Sequence, residues 1–246
     1  MSRTRAVTAR AGDAPAPGVR REPDAETLAA WRAADAVCFD VDSTFCSDES
    51  IDEVAAFLGV GEQVAALTAS AMGGTVKFQD ALRDRLALMN CSRQDMDRFL
   101  AAHPPRISPG IPALVSALQS RGTSVYLVSG GFRVIIDPIA DLMGIPRENV
   151  FANTLLWDDA GAYAGFDAGE FTSQSGGKAR AVAHLRREKG YRTVVAVGDG
   201  ATDLEARTPE GARIFIGYGG VVERPAVAQG ADWFVSSFDP LIEALE

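Results

Sequence analysis

The nine residues Ala36-Val37-Cys38-Phe39-Asp40-Val41-Asp42-Ser43-Thr44 constrain this chain more than any other stretch. An apolar run leads straight into a carboxylate; a second carboxylate follows one residue later, then two hydroxyls. A charge at the edge of a core is costly unless it is paired or binds a metal. The run therefore reads as a buried strand that carries two acids to its open end. In extended geometry residues i and i+2 share a face, which would bring Asp40 and Asp42 to one point. The plainer alternative is a strand that ends in an Asp/Ser turn, and the rest of the chain argues against it.

Composition narrows the function classes. The chain has 246 residues, enough for one large domain or a domain with a smaller insert, and 47% of them are apolar. A net charge of −9 argues against nucleic acid or an anionic membrane as the main partner. It still permits a small anionic substrate held by local cations. No apolar run approaches the roughly 20 residues of a bilayer span. Cys38, Cys46 and Cys91 cannot all pair, so a disulfide scaffold is excluded and a reducing compartment is favoured. None of them has, at the short spacing a thiolate nucleophile for phosphate requires, a following Arg. With only His103 and His184 present, a histidine nucleophile or a His-rich metal site is disfavoured.

Residues 1–23 differ from the rest. Arg3, Arg5, Arg10, Arg20 and Arg21 are accompanied by few acids and no apolar periodicity, which predicts a disordered basic tail. That composition fits an organelle transit peptide and an untargeted tail equally well. A helix is expected near Asp24–Ala34, then the first strand at about Ala36–Phe39. From Ser50 to about Ala102 the apolar spacing is helical almost throughout, with stripes Ile51/Val54/Ala55/Leu58 and Phe78/Leu82/Leu86/Met89. This predicts a small helical insert, residues 49–104, placed directly after the first strand. Residues 24–48 and 105–246 would then form an α/β core.

After Pro104-Pro105 strands and helices alternate. Strands are predicted at Ser124–Val128, stopping at Ser129, and at Thr193–Val197, with another at Arg213–Ile216. Helices are predicted at about Ile111–Gln119, Phe132–Met143 and Gly176–Lys189. Val150–Trp157 and Ala162–Phe166 flank Asp158-Asp159-Ala160-Gly161 and read as one hairpin. Alternation of this kind implies a Rossmann-like parallel sheet with helices on both faces. Ligands in such sheets sit beyond the carboxyl ends of the strands.

Those ends carry a polar payload: Asp40 and Asp42, Ser129-Gly130, and Asp199 with Asp203, while Lys178 stands at a helix start. Several carboxylates suit a hard divalent cation, most plausibly Mg²⁺. Ser129, the Gly130 N–H and Lys178 suit an anion. Metal, phosphate and a spare carboxylate together imply phosphoryl transfer with a carboxylate nucleophile. Competing motifs fail: Phe45 stands where a calcium loop needs Gly, and Thr172 where a P-loop needs its first Gly.

These residues resemble the haloacid-dehalogenase-type phosphatases, whose four motifs are matched in order by Asp40-Val41-Asp42-Ser43-Thr44, Ser129-Gly130, Lys178 and Gly198-Asp199-Gly200-Ala201-Thr202-Asp203. Within them, Ala71-Met72-Gly73-Gly74, Tyr126–Arg133, Phe151-Ala152-Asn153 and Ser175-Gly176-Gly177-Lys178 resemble the phosphoserine phosphatase family. Pro104–Gly110 and Ala201–Arg207 look most like its plant-type, plastid members. The resemblance implies Mg²⁺-dependent hydrolysis of O-phospho-L-serine to L-serine and phosphate, the last step of L-serine biosynthesis. Asp40 would be the nucleophile and Asp42 the general acid, then base. Asp40, the main-chain carbonyl of Asp42, and Asp199 would hold the metal, supported by Asp203. Ser129, Gly130 and Lys178 would hold the phosphoryl group, with Thr202 nearby. The insert would be a cap over the site, where Glu49 meets the substrate ammonium, Arg85 its carboxylate, and Met72 and Gly73 line it. The resemblance also allows a homodimer and favours a plastid location over a cytoplasmic one. Two positions depart from the family pattern: Ser50, usually Gly, and Phe171, usually Pro. Rival readings are a phosphatase or phosphotransferase acting on another small phosphomonoester, and a non-catalytic binding module.

Overall fold

The computed structural model describes residues 22–71 and 77–246. The tail expectation for residues 1–23 and the expectations for Met72 and Gly73 fall almost wholly outside these residues. Helix α1 (Ala25–Arg32) is capped by Asp24, whose carboxylate accepts the Thr27 N–H at 2.8 Å. It leads into β1 (Ala36–Phe39), a strand buried on both faces. Four helices follow: α2 (Ser50–Phe57), α3 (Gly61–Ala71), α4 (Phe78–Met89) and α5 (Arg93–Ala102). The α/β alternation then runs α6 (Ile111–Ser120), β2 (Ser124–Phe132), α7 (Arg133–Leu142) and β3 (Val150–Asn153). A hairpin of β4 (Leu155–Trp157) and β5 (Tyr163–Phe166) precedes α8 (Gly177–Lys189) and β6 (Val194–Gly198). The chain closes with α9 (Ala201–Leu204), β7 (Ile214–Tyr218), α10 (Pro225–Gly230), β8 (Trp233–Val235) and α11 (Asp239–Glu243).

The main sheet is six-stranded and parallel, in the order β3-β2-β1-β6-β7-β8. β1 lies at its centre, and successive crossovers run outward from it in opposite directions. The order reverses between β2 and β6, so a crevice opens beyond the carboxyl end of β1. Period-two alternation splits the strands between two cores. Val37, Phe39, Val125, Leu127, Val195 and Val197 face a layer containing Trp31, Leu114, Leu118 and Ile136. Cys38, Tyr126, Val128 and Ala196 face Ala181, Val182 and Leu185 of α8. A third cluster, with Val54, Leu82, Leu86, Met96 and Phe99, holds the four-helix insert together. It also takes in Phe132 and Leu155, so the insert packs on the hairpin side of the sheet.

The structure corrects three local readings. First, β1 ends at Phe39 as expected, but Asp42 therefore reaches the site by another route than the expected strand alternation. The chain coils through Val41–Phe45, with Ser43 at φ 54°. Second, β2 does not stop at Ser129 but continues to Phe132, with a register break between Val128 and Phe132. Third, Val150–Trp157 is not one hairpin arm. β3 pairs in parallel with β2, whereas β4 pairs antiparallel with β5 in a separate two-stranded sheet. Side chains make that division: Asn153 donates to the Gly130 carbonyl at 2.7 Å, and Thr154 donates to Glu170 at 2.7 Å. Apolar periodicity does not register such polar anchors.

Candidate active site

The ends of β1 and β6 deliver two of the acids of the site. At the end of β1, Asp40 is 7% exposed and its Oδ1 accepts the Val41 N–H at 2.7 Å. Asp199 follows the end of β6 and Asp203 stands on α9, and both are 4% exposed. One carboxylate oxygen from each of Asp40, Asp199 and Asp203 can be chosen so that all three lie within 4.8 Å of one another. Gly198 makes this convergence feasible, because a Cβ there would lie 2.3 Å from Cγ of Asp203.

Lys178, the second residue of α8, joins this cluster. Its Nζ lies 2.7 Å from Asp40 Oδ1 and 2.7 Å from Asp203 Oδ1. Burial alone would lower its pKa, but the two carboxylates outweigh that and hold it well above the usual lysine range. Lys178 is therefore a fixed positive charge. Asp203 also accepts the Gly200 N–H at 3.1 Å, and burial raises its carboxyl while Lys178 opposes that rise.

Asp42 stands apart from the three clustered acids. Its Oδ1 accepts the Ser50 N–H at 2.9 Å, and its Oδ2 accepts the Ser50 hydroxyl at 3.1 Å. Ser50 is the first residue of α2, so Asp42 sits on the N-terminus of an insert helix. Burial, followed by the charge of Asp40, pushes Asp42 up to about 7, and the Ser50 bonds oppose that rise. A carboxyl balanced near neutrality can both give and take a proton. A Cβ on Gly131 would come within 3.1 Å of both Asp42 Oδ2 and Ser129 Oγ, so the glycine lets these groups crowd together.

The cleft has a volume of about 400 Å³. Its lining includes Asp40, Asp42, Glu49, Arg85, Gly130, Lys178, Asp199, Thr202 and Asp203, bringing nine of the site residues expected from the sequence to one cavity. Ser129 is not among the lining residues. It is 1% exposed, and its Oγ accepts the Gly131 N–H at 2.9 Å. Glu49 accepts the Ser43 hydroxyl at 2.6 Å, and burial raises its carboxyl. Arg85 donates to the Ala81 carbonyl at 3.2 Å, and burial lowers its guanidinium. An acid and a guanidinium from the insert thus share a cavity with the acids and lysine of the sheet.

The donor set fits a hard divalent cation: three close carboxylates, no sulfur and no imidazole. The three cysteines are buried and free, with Cys46 pushed up to about 12 and Cys91 to about 11 by burial, consistent with inert thiols.

A family model described as haloacid dehalogenase-like hydrolase matches residues 34–207. This chain belongs to that family. Among curated haloacid dehalogenase-like relatives, the chloroplastic phosphoserine phosphatase of Arabidopsis thaliana is 53% identical over 91% of this chain and 76% of its own length. The phosphoserine phosphatase of Bos taurus is 50% identical over 87% of this chain and 94% of its own. Among solved structures, DsGPDH of Dunaliella salina superposes with a TM-score of 0.81 at 44% identity, covering 92% of this chain and 38% of that larger one. A phospho-aspartyl intermediate analogue of phosphoserine phosphatase superposes with a TM-score of 0.72 at 27% identity, over 87% of this chain and 99% of its own.

The sequence reading missed two contacts of this haloacid dehalogenase-like site. Ser50 stands out in the sequence as a departure from the family pattern, but nothing there marks it as a donor to Asp42. Arg224, which lines the cleft and donates to Asp199 at 2.9 Å, lies outside every motif the sequence displays. It follows the Tyr218-Gly219-Gly220 end of β7, and reading every strand end for polar groups would have drawn attention to that loop.

Proposed function

We propose that the chain is a Mg²⁺-dependent phosphoserine phosphatase that works through an aspartyl-phosphate on Asp40. The observation that carries this reading is that Glu49 and Arg85 line the same cleft as the Asp40–Lys178 pair. One wall is equipped for phosphoryl transfer, and the other offers one anion and one guanidinium. O-phospho-L-serine matches that pattern with a phosphate, an ammonium and a carboxylate. The names of the Arabidopsis and Bos relatives point the same way.

In this mechanism Arg85 takes the substrate carboxylate and Glu49 its ammonium, which orients the phosphate toward Asp40. A carboxylate oxygen of Asp40 attacks phosphorus while Asp42 protonates the departing serine oxygen. Asp42 then removes a proton from water, and that water opens the aspartyl-phosphate to release phosphate. Lys178, Ser129 and the Gly130 N–H offset the charge of the phosphoryl oxygens. Asp40, the Asp42 carbonyl and Asp199 would hold Mg²⁺, with Asp203 in support; when bound, the ion supplies further positive charge for those oxygens. The insert keeps bulk water from the reaction while substrate is bound. The product would be L-serine at the end of its biosynthesis. The plastid is the location this reading favours, and a fluorescent fusion of residues 1–35 tests it.

Phosphate release from O-phosphoserine, with Mg²⁺ and with chelator, tests the main reading. Release with Mg²⁺ and none in chelator is expected. No release with Mg²⁺, or full release in chelator, would overturn it. Faster release from another small phosphoester would reassign the substrate, and transfer of the phosphoryl group to an added alcohol would reassign the reaction.

A further inference from the structure

Arg224 belongs to none of the four family motifs and lies beyond residues 34–207, the span that the family model matches. It precedes α10, yet makes no side-chain cap on that helix. Its Nε instead reaches back 2.9 Å to Asp199 Oδ2, where only 5% of the Asp199 side chain is exposed. The other oxygen of Asp199 is only 3.4 Å from the Thr44 hydroxyl.

The charges around the cluster do not balance. Three carboxylates, Asp40, Asp199 and Asp203, face two cations, Lys178 and Arg224. With a dication among them, the three acids balance the ion and one ammonium. Arg224 is then the surplus charge, on the same carboxylate that the ion would take. The two cations differ in how firmly they are held. Lys178 is 12% exposed and tied to two carboxylates, whereas Arg224 is 41% exposed and held by one. Arg224 is the one able to leave.

We propose that Arg224 is a stand-in counter-ion: it neutralises Asp199 while the site is metal-free and is displaced when a divalent cation binds. The inference rests on the cation site of the proposed function. It predicts that the protein's own guanidinium competes with the metal, which weakens metal affinity and shields the acid cluster from mutual repulsion when no ion is bound.

The test uses the full chain, Mn²⁺ as the probe, and binding measured by electron paramagnetic resonance in the absence of substrate. Arg224→Gln is expected to bind Mn²⁺ about tenfold more tightly than the parent, the equivalent of one charge-assisted hydrogen bond no longer broken on binding. Arg224→Lys, which keeps the charge, is expected to stay within about threefold of the parent. In the ¹⁵N-labelled parent, the Arg224 Nε–H resonance is expected to be visible in chelator and to shift on saturation with Mg²⁺. Weaker or unchanged Mn²⁺ binding by Arg224→Gln would overturn the proposal, because it would make Arg224 a holder of Asp199 for the metal rather than a competitor. An Nε–H resonance unmoved by Mg²⁺ would overturn it as well. If none of the three proteins bound Mn²⁺, the cation site itself would fall and take this inference with it.

Discussion

The two walls of the cleft are built on different physical principles. On the sheet side, Asp40, Asp199 and Asp203 project from or just beyond strand ends whose positions are set by ladder pairing on both flanks. Asp40 and Asp203 share a largely buried charged partner, Lys178, while Asp199 is met by the more exposed Arg224. On the insert side, Glu49, Ser50 and Arg85 belong to helices held by a separate apolar cluster, and Glu49 and Arg85 are each held by a single, partly buried hydrogen bond. The rigid wall suits chemistry, which tolerates little displacement. The helical wall suits recognition and can move without disturbing the acids. Ser50 is the exception, since it links the insert to Asp42.

The largest expected effect lies on the rigid wall. Asp40→Asn should abolish turnover and leave no acid-precipitable phosphoenzyme from ³²P-labelled substrate, because the amide cannot serve as nucleophile. Its fold should survive, since the Val41 N–H can still be accepted by the amide oxygen. Phosphoenzyme in this variant would move the nucleophile elsewhere and dissolve the contrast between the walls.

The helical wall should show selectivity. Arg85→Ala should lower kcat/KM for O-phosphoserine by about 10–100-fold, the cost of a lost charged hydrogen-bond pair. Phosphoethanolamine, which has no carboxylate, should lose much less. Equal losses would mean that Arg85 supports the insert rather than reading the substrate.

Next in size is the link between the walls. Ser50→Gly removes the hydroxyl bond to Asp42 but keeps the N–H bond, so kcat should fall about tenfold at neutral pH. With one of the bonds that favour the carboxylate gone, the apparent pKa of Asp42 rises, and the pH–rate profile should move to higher pH. Ser50→Thr keeps a hydroxyl and should restore both. An unshifted profile in Ser50→Gly would show that the N–H bond alone positions Asp42.

The same contrast explains what could be read in advance. The convergence of Asp40 and Asp199 was legible because each sits at the junction of an apolar run and a polar break, and strand-end geometry makes such junctions converge, whereas Lys178 was legible only as the cation at a helix start after Gly176-Gly177. The helical insert was legible from its period. The role of Ser50 was not, because it depends on a turn through Ser43 at φ 54° that no apolar pattern encodes. Nor was Arg224, whose partner is 25 residues away in sequence. The division of Val150–Trp157 between two sheets failed for a related reason, since Asn153 and Thr154 are fixed by side-chain bonds to distant residues.

The smallest effect tests the cost of holding Asp42 against its surroundings. Its carboxyl ionises at about 7 in the fold but near 3.8 in the unfolded chain. Between those values the folded protein holds a proton that the unfolded chain has released, so stability falls as pH rises through this window and levels off above it. In chelator, this group therefore lowers Tm at pH 8 relative to pH 5. Asp42→Asn has no charge to desolvate, and its amide oxygen can still accept from Ser50. The variant should melt above the parent at pH 8 by several degrees, at about 2–4 °C for each kcal/mol, and show a smaller gain at pH 5. Because burial also raises Asp203, the substitution should flatten the pH dependence without removing it. A gain of the same size at both pH values would mean that the Asn side chain acts by packing. No gain at pH 8 would mean that Ser50 already compensates the buried charge in full, and that the link between the two walls is stronger than its two bond lengths suggest.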